Sequence, residues 1–177
     1  MIEYRIRPLR PEAHLFEVTL TVANPTPEGQ AFSLPAWIPG SYMIRDFARH
    51  LVYLEASCQG ETLPVAKIDK QTWQVPPCDG PVQLHYHVYA WDLSVRGAHL
   101  DTTHGYFNGT CVFLAPMGHE DQPCEVDIEA PEGPAYLGWH LATGLPRLSG
   151  SELAFGRFRA DNYDALIDHP VEMGPFE

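Results

Sequence analysis

The sequence has few basic side chains. Eleven lysine and arginine residues stand against twenty-three aspartate and glutamate residues, and the formal net charge is −12. Only two of the basic residues are lysines, Lys67 and Lys70. A chain with this charge is poorly suited to neutralising nucleic-acid phosphates or covering an anionic lipid surface. We therefore expect neither a nucleic-acid partner nor a membrane partner.

Cysteine motifs and long apolar segments are also missing. The four cysteines include no Cys-x-x-Cys pair, which disfavours a zinc ribbon or a disulfide framework and predicts reduced, mostly buried thiols. No apolar stretch approaches the roughly eighteen residues of a membrane span. The first residues lack the apolar segment of a secretory signal. We expect a cytoplasmic protein.

The chain is patterned for β-structure. Seventeen prolines and fourteen glycines leave little room for long helices. Apolar and polar residues alternate with period two, most clearly over residues 14–23 and 82–91, and bulky side chains on both faces of 82–91 predict a central strand covered on both faces. Asn162 and Pro170 bound one short helix near the C terminus. The sequence predicts an all-β fold, an antiparallel β-sandwich of about ten short strands.

Residues 34–50 are rich in proline and aromatic side chains, and they predict a rigid corner between two sheets. The backbone there is expected to be set by Pro35, Pro39 and Gly40. The aromatic side chains of the segment are expected to join the core, and they are Trp37, Tyr42 and Phe47.

The same segment carries an adjacent arginine and aspartate, Arg45 and Asp46, between the apolar residues Ile44 and Phe47. A buried guanidinium requires a carboxylate or carbonyl partner. We expect a structural ion pair between the two residues, and the alternative is an arginine presented to a ligand.

Several histidines raise the question of a metal site. His85 and His87 lie two residues apart and hence on one face of one strand, a geometry that suits zinc or copper. Other candidate ligands follow along the chain: Asp92, His99, Asp101 and His104. The alternative is a pair of ordinary histidines on a partly exposed sheet face. We adopt that alternative and expect no metal ligand in this chain.

No catalytic constellation is visible in the sequence. His119 and Glu120 match the first half of a His-Glu-x-x-His motif, but the second histidine is absent and the segment is a loop. No Gly-x-Ser-x-Gly motif is present. We therefore expect no catalytic residue in this chain.

Four blocks, in order along the chain, resemble the N-terminal domain of the glycyl aminopeptidase family of zinc metallopeptidases. They are residues 37–49 (WIPGSYMIRDFAR), 86–96 (YHVYAWDLSVR), 105–110 (GYFNGT) and 163–174 (YDALIDHPVEMG). The first and fourth blocks are the most specific. The four blocks span residues 37–174, so the resemblance extends over nearly the whole chain.

The resemblance implies an N-terminal, saddle-like β domain, followed in full-length members by a thermolysin-like zinc domain and a PDZ-like part. Residues 1–162 would form the β domain, and residues 163–177 would be the junction to an absent catalytic domain. Zinc would belong to that absent domain, so this chain alone would be inactive. Its partners would be the catalytic domain of the same polypeptide and, in the full-length enzyme, a peptide substrate.

By analogy with related zinc aminopeptidases, residues 99–110 would form a loop that helps to close the substrate pocket. The substrate-binding residues of that loop would be Tyr106, Phe107, Asn108 and Gly109. The alternative is that Asn108 and Gly109 only form a hairpin turn.

A different class of function stays open beside this one. A free-standing β-sandwich could bind carbohydrate or peptide through the aromatic side chains of Tyr89, Trp91 and Trp139. For the isolated chain we also expect a weak homodimer, formed through the surface that would otherwise meet the catalytic domain.

Overall fold

The computed structural model describes residues 1–38 and 40–176, and this part of the chain contains fifteen strands and one α-helix. The strands are β1 (Ile2–Arg10), β2 (Leu15–Val22), β3 (Ala31–Ser33), β4 (Leu51–Cys58), β5 (Glu61–Leu63), β6 (Ala66–Lys67), β7 (Thr72–Gln74), β8 (Val82–Tyr89), β9 (Ala98–Leu100), β10 (Gly105–Phe107), β11 (Ala115–Pro116), β12 (Cys124–Ile128), β13 (His140–Thr143), β14 (Gly156–Ala160) and β15 (Val171–Gly174). The helix α1 spans Tyr163–Ile167. Short 3-10 turns cover Pro11–Ala13, Phe47–His50, Gly109–Cys111 and Pro134–Tyr136.

The strands form three sheets. A seven-stranded sheet has the order β14-β12-β1-β2-β8-β4-β5, and two four-stranded sheets have the orders β13-β15-β10-β9 and β11-β3-β7-β6. Within the described residues, the paired strands are antiparallel except β1 and β12, which run parallel. The prediction of an all-β fold with minimal helix near the C terminus is confirmed. Many of the strands are only two to four residues long, which is why the count exceeds the expected number of about ten.

Alternation along the long strands places one face of the seven-stranded sheet against the core. In β2, for example, Phe16 and Val18 are fully buried, whereas Glu17 points to the opposite face. Strand β8 is central, between β2 and β4, as predicted. The prediction that both of its faces are covered is wrong, because His85 and His87 lie half-buried on the polar outer face of the sheet.

The core lies between the inner face of the large sheet and the two smaller sheets. Edge-to-face aromatic contacts join the layers: the ring of Phe16 lies 5.5 Å from that of Phe107, which lies 5.6 Å from that of Phe113. Tyr4 of the large sheet contacts Phe113 at 5.1 Å. Full burial of one such side chain contributes about 1.5–3 kcal/mol.

The buried segment 112–114 is held by three tyrosine hydroxyls. The hydrogen bonds run from Tyr4 to the carbonyl of Leu114 (2.8 Å), from Tyr86 to that of Val112 (2.7 Å) and from Tyr163 to that of Phe113 (2.7 Å). Burial raises the pKa of all three hydroxyls, so they remain neutral donors. These bonds satisfy backbone carbonyls that would otherwise be unpaired in the core.

Local turn and cap signals agree with the sequence. Gln59 and Gly60 both have positive φ angles, 51° and 83°, as the two-residue hairpin turn between β4 and β5 requires. The side chain of Asn162 caps α1 by accepting a hydrogen bond from the backbone of Ala165 at 2.8 Å, and the helix ends before Pro170. Over the described ranges, no helix is long and apolar enough to cross a membrane.

All four cysteines are free thiols, as predicted, and Cys58, Cys111 and Cys124 are buried. Burial raises the pKa of Cys111 and that of Cys124 to about 12. Both thiols are therefore protonated at neutral pH and inert as nucleophiles.

Candidate functional site

The residues expected to bind substrate lie on β10 and at the start of the following 3-10 turn. Strand β10 is central in its sheet, between β9 and β15. The β9–β10 hairpin has its tip at residues 101–104, where the carboxylate of Asp101 accepts hydrogen bonds from the backbone of Thr103 and His104. Residues 106–108 therefore lie at the base of this hairpin and not near its tip.

Two of these residues are enclosed by the protein. Phe107 is fully buried in the core. Gly109 packs against α1 so closely that a Cβ atom there would lie 2.7 Å from the Cα atom of Ile167.

The other two are partly accessible. Asn108 accepts hydrogen bonds from the backbone and hydroxyl of Thr110 and caps the 3-10 turn. The alternative expectation, a hairpin turn at Asn108 and Gly109, is wrong. Tyr106 donates its hydroxyl to the carbonyl of Val95 at 2.8 Å. Of these four residues, Tyr106 and Asn108 are therefore the two that can offer side-chain atoms to a molecule outside this domain.

An open cleft of about 610 Å³ lies beside Asn108. Its walls come from residues 35–38, from Asn108 and Thr110, and from residues 163–168 of the α1 region. The fold thus brings together parts of three blocks that are far apart in sequence, namely 37–49, 105–110 and 163–174.

The segment predicted as a rigid corner is a closed loop. The backbone of Arg45 donates to the carbonyl of Ala36 at 2.7 Å, and the indole of Trp37 donates to the carbonyl of Ser41. Pro39, which was expected to help set this backbone, lies outside the described residues. Gly40 has a φ of 81°, a conformation that favours glycine.

The aromatic side chains of this loop are divided between core and surface. Phe47 is buried, as predicted. The prediction that Trp37 and Tyr42 join the core is wrong, because Trp37 is 51% exposed and Tyr42 is fully exposed. Met43 and Ile44 are exposed beside them, at 60% and 73%. We call these four exposed side chains, Trp37, Tyr42, Met43 and Ile44, the signature-loop surface.

Arg45 and Asp46 do not form the expected ion pair. Asp46 pairs with Lys70, whose Nζ lies 2.7 Å from its Oδ1. The Nε of Arg45 is buried and has no hydrogen-bond acceptor among the described residues. Both residues line a cavity of about 220 Å³ that also reaches Trp91 and Asp92. Arg45 and Asp46 are consecutive, but Asp46 pairs with Lys70 and not with Arg45. Adjacency in the sequence does not reveal this.

Histidines and carboxylates form two clusters with potential ligand atoms close together, and the two clusters lie on different sheets. In the first, His85 and His87 on β8 face Glu17 on β2. In the second, His99 and His104 flank Asp101 at the β9–β10 hairpin. The sequence identified the histidines and Asp101, but not Glu17, since only the β2–β8 register places it there.

The aromatic residues proposed for ligand stacking also differ from expectation. Trp139 is buried and contacts Tyr136, so it cannot stack on a ligand. Trp91 is exposed, but its ring contacts those of His14 at 3.9 Å and His99 at 4.8 Å. Tyr89, the third aromatic residue that was expected to stack on a ligand, is partly exposed.

The fold and the clefts define an all-β domain whose most distinctive loop displays apolar side chains to the outside. The chain belongs to the Peptidase M61 N-terminal domain family, whose sequence model matches residues 3–175. No curated protein matches the chain.

The chain is also similar to solved structures. An aminopeptidase N family protein from Idiomarina loihiensis is 50% identical, with a TM-score of 0.94, over 98% of this chain and 29% of that chain. An M1 zinc metallopeptidase from Deinococcus radiodurans has a TM-score of 0.54 at 17% identity, over 99% of this chain and 42% of that chain, and shows the fold alone. Another structure of that enzyme, at 14% identity, holds a Tyr-Ser-Ala substrate. The present chain therefore spans less than half the length of each of these structures.

Proposed function

We propose that this chain is the non-catalytic N-terminal domain of an aminopeptidase-type zinc metallopeptidase, and that it docks on the catalytic domain of the same polypeptide and helps to shape the substrate cleft. The proposal includes a catalytic domain of the thermolysin-like, glycyl aminopeptidase type with a PDZ-like part. The observation that carries it is the signature-loop surface, where the block at residues 37–49 exposes Trp37, Tyr42, Met43 and Ile44.

Exposed apolar side chains in one block require an explanation. Single exposed apolar residues are common, but a group of them marks an interaction surface. Burying each side chain against a partner would contribute about 1.5–3 kcal/mol. The partner we propose is the catalytic part of the polypeptide, because this chain matches only 29% of the Idiomarina loihiensis structure and the remainder is available to cover this surface.

The cleft of about 610 Å³ supports the second part of the proposal. Residues 163–168, which begin the proposed junction over residues 163–177, form one of its walls. The junction would therefore pass beside Asn108 before it enters the sheet as β15, next to β10. We propose that Asn108 faces the substrate pocket there, that Tyr106 contacts the substrate from the neighbouring strand β10, and that Phe107 and Gly109 position both from the core.

Zinc in this proposal belongs to the catalytic domain, where it would activate water or polarise the scissile carbonyl. The chain described above would contribute walls to the cleft, without supplying a ligand to that catalytic zinc or a general base. We therefore expect the 177-residue chain alone to have no peptidase activity.

Two measurements test the proposal. The gene sequence beyond residue 177 is expected to encode an in-frame His-Glu-x-x-His motif. A stop codon directly after the codon of residue 177 would contradict the proposal. The purified chain, supplied with zinc, is expected not to hydrolyse glycyl or alanyl aminoacyl substrates. Zinc-dependent hydrolysis that copurifies with the chain would also contradict it.

A further inference from the structure

The polar outer face of the seven-stranded sheet contains a compact group of two histidines and one glutamate. In the register between β2 and β8, Glu17 lies directly opposite His87, and Thr19 lies opposite His85. Both histidines therefore project from the same face as Glu17. One ligand atom from each of the three side chains lies within 4.8 Å of the other two.

The distances suit a single ion between the three groups. Nε2 of His85 lies 3.0 Å from Oε2 of Glu17, and Nε2 of His87 lies 3.8 Å from the same oxygen. Tetrahedral zinc with nitrogen and oxygen ligands at about 2.0–2.2 Å separates its ligand atoms by about 3.3 Å. The imidazole rings of His85 and His87 are nearly perpendicular, at 87°, with their centroids 5.3 Å apart.

The Nε2 atom of His87 is buried and, within the described part of the chain, has no hydrogen-bond partner. A buried nitrogen without a hydrogen-bond partner lowers the stability of the fold, because its desolvation is not compensated. Coordination of an ion between His87 and Glu17 would satisfy this atom.

Further side chains orient the three groups from outside. Nε of Arg7 donates to Oε1 of Glu17 at 2.7 Å. The other carboxylate oxygen, Oε2, is directed at the histidines. Nδ1 of His85 lies 3.4 Å from Oε1 of Glu55, as in sites where a carboxylate orients a metal-binding histidine. The ring of Tyr53 covers that of His87 at 4.9 Å.

The protonation states agree with this geometry. Burial, and then the neighbouring His85, lower the pKa of His87, so its imidazole is neutral near pH 7. Burial opposes ionisation of Glu17, but hydrogen bonds from Arg7 and His85 outweigh it and lower the pKa of that carboxyl. A neutral imidazole and an ionised carboxylate are the forms that bind metals.

We propose that Glu17, His85 and His87 form a binding site for one divalent transition-metal ion, most simply Zn²⁺, on the outer face of the large sheet. Two imidazoles and one carboxylate suit zinc and neighbouring divalent ions. Three protein ligands leave at least one coordination position for water or for a group from another molecule. This proposal does not depend on the function proposed above.

The second cluster is less suited to an ion. The rings of His99 and His104 are stacked on each other, with their centroids 4.9 Å apart and their planes at 28°. Oδ1 of Asp101 already accepts hydrogen bonds from the backbone and hydroxyl of Thr103 and the backbone of His104, and its Oδ2 is taken by His99 at 3.0 Å. This cluster closes the hairpin tip and provides a matched control.

Zinc titration of the 177-residue chain tests the proposal. After removal of metals with a chelator, isothermal titration calorimetry with ZnCl₂ at pH 7 is expected to show one bound equivalent. His87→Asn is expected to abolish binding, and Glu55→Gln is expected to weaken it about tenfold. His104→Asn, in the second cluster, is expected to bind as tightly as the unchanged chain. Circular dichroism and thermal unfolding would establish that each variant is folded.

Imidazole resonances in the unchanged chain provide a measurement that does not depend on any variant. Zinc is expected to shift the resonances of His85 and His87 and to leave those of His99 and His104 in place. Absence of zinc binding, binding that survives His87→Asn, or shifts confined to His99 and His104 would each overturn the proposal.

Discussion

The side chain of Tyr86 shows how one hydroxyl can support the core. It donates to the carbonyl of Val112 at 2.7 Å and accepts from the backbone nitrogen of Leu114 at 3.1 Å. Tyr86→Phe would leave both backbone groups buried without a partner. We expect the substitution to lower the free energy of unfolding by about 2 kcal/mol, measured by urea unfolding monitored by circular dichroism.

Tyr42→Phe is the matched control for Tyr86→Phe. The same atom is removed, but Tyr42 is fully exposed and its hydroxyl is solvated in either state. We expect a change of less than about 0.5 kcal/mol. Equal stability of the Tyr86→Phe variant and the unchanged chain would show that the hydroxyl does not hold residues 112–114.

For individual side chains, the sequence predicted some burial and contacts correctly and others not. It correctly placed Phe47 in the core, but not Trp37 and Tyr42. All three lie in one irregular segment, where no periodicity indicates which side chains face inward. The pairing of Asp46 with Lys70 and the placement of Glu17 beside His85 depend on chain reversals, which composition and spacing do not specify.

Among the elements, the helix α1 depends on a close approach to the 3-10 turn at Gly109–Cys111. A Cβ atom at Gly109 would lie 2.7 Å from the Cα atom of Ile167, and a backbone atom cannot rotate away. We expect Gly109→Ala to destabilise the fold by about 2 kcal/mol through this overlap. Hydrogen exchange is expected to rise for the amides of α1 and much less for those of β1 and β2.

Gly138→Ala provides the comparison for Gly109→Ala. A Cβ atom at Gly138 meets nothing within 4 Å, so we expect little change in stability or in exchange at α1. If Gly109→Ala behaves like Gly138→Ala, the helix is not held by this contact, and the structural role assigned to Gly109 is wrong.

The longer elements were predictable because their side chains alternate over eight or nine residues, as in β1, β2 and β8. Strands of two or three residues, such as β6 and β11, are too short to show a period. The parallel pairing of β1 with β12 joins segments more than a hundred residues apart, so no local signal indicates it. The sequence Asn108-Gly109 correctly predicted a turn at this position. Burial against α1 favours a 3-10 turn there over a hairpin turn.

On the scale of the whole molecule, the acidic surface and the signature-loop surface have opposite effects. A net charge of −12 repels a second copy, whereas exposed apolar side chains attract one. The docking function that we propose gives a reason for the apolar surface. In our proposal, the apolar surface is covered within the full-length enzyme, and the charge keeps the remaining surface soluble.

This balance predicts how the isolated chain associates. We expect a weak dimer that forms through the signature-loop surface and strengthens as salt screens the repulsion between copies. Replacing both Tyr42 and Ile44 with serine is expected to leave only monomer, because the contact loses its two most exposed apolar side chains. Leu137→Ser removes an equally exposed apolar side chain elsewhere and should leave the dimer intact. Sedimentation equilibrium at low and high salt measures the association of the unchanged chain and of each variant. A chain that is monomeric at every salt concentration would contradict the assignment of this surface. A dimer that survives the double substitution would contradict it as well.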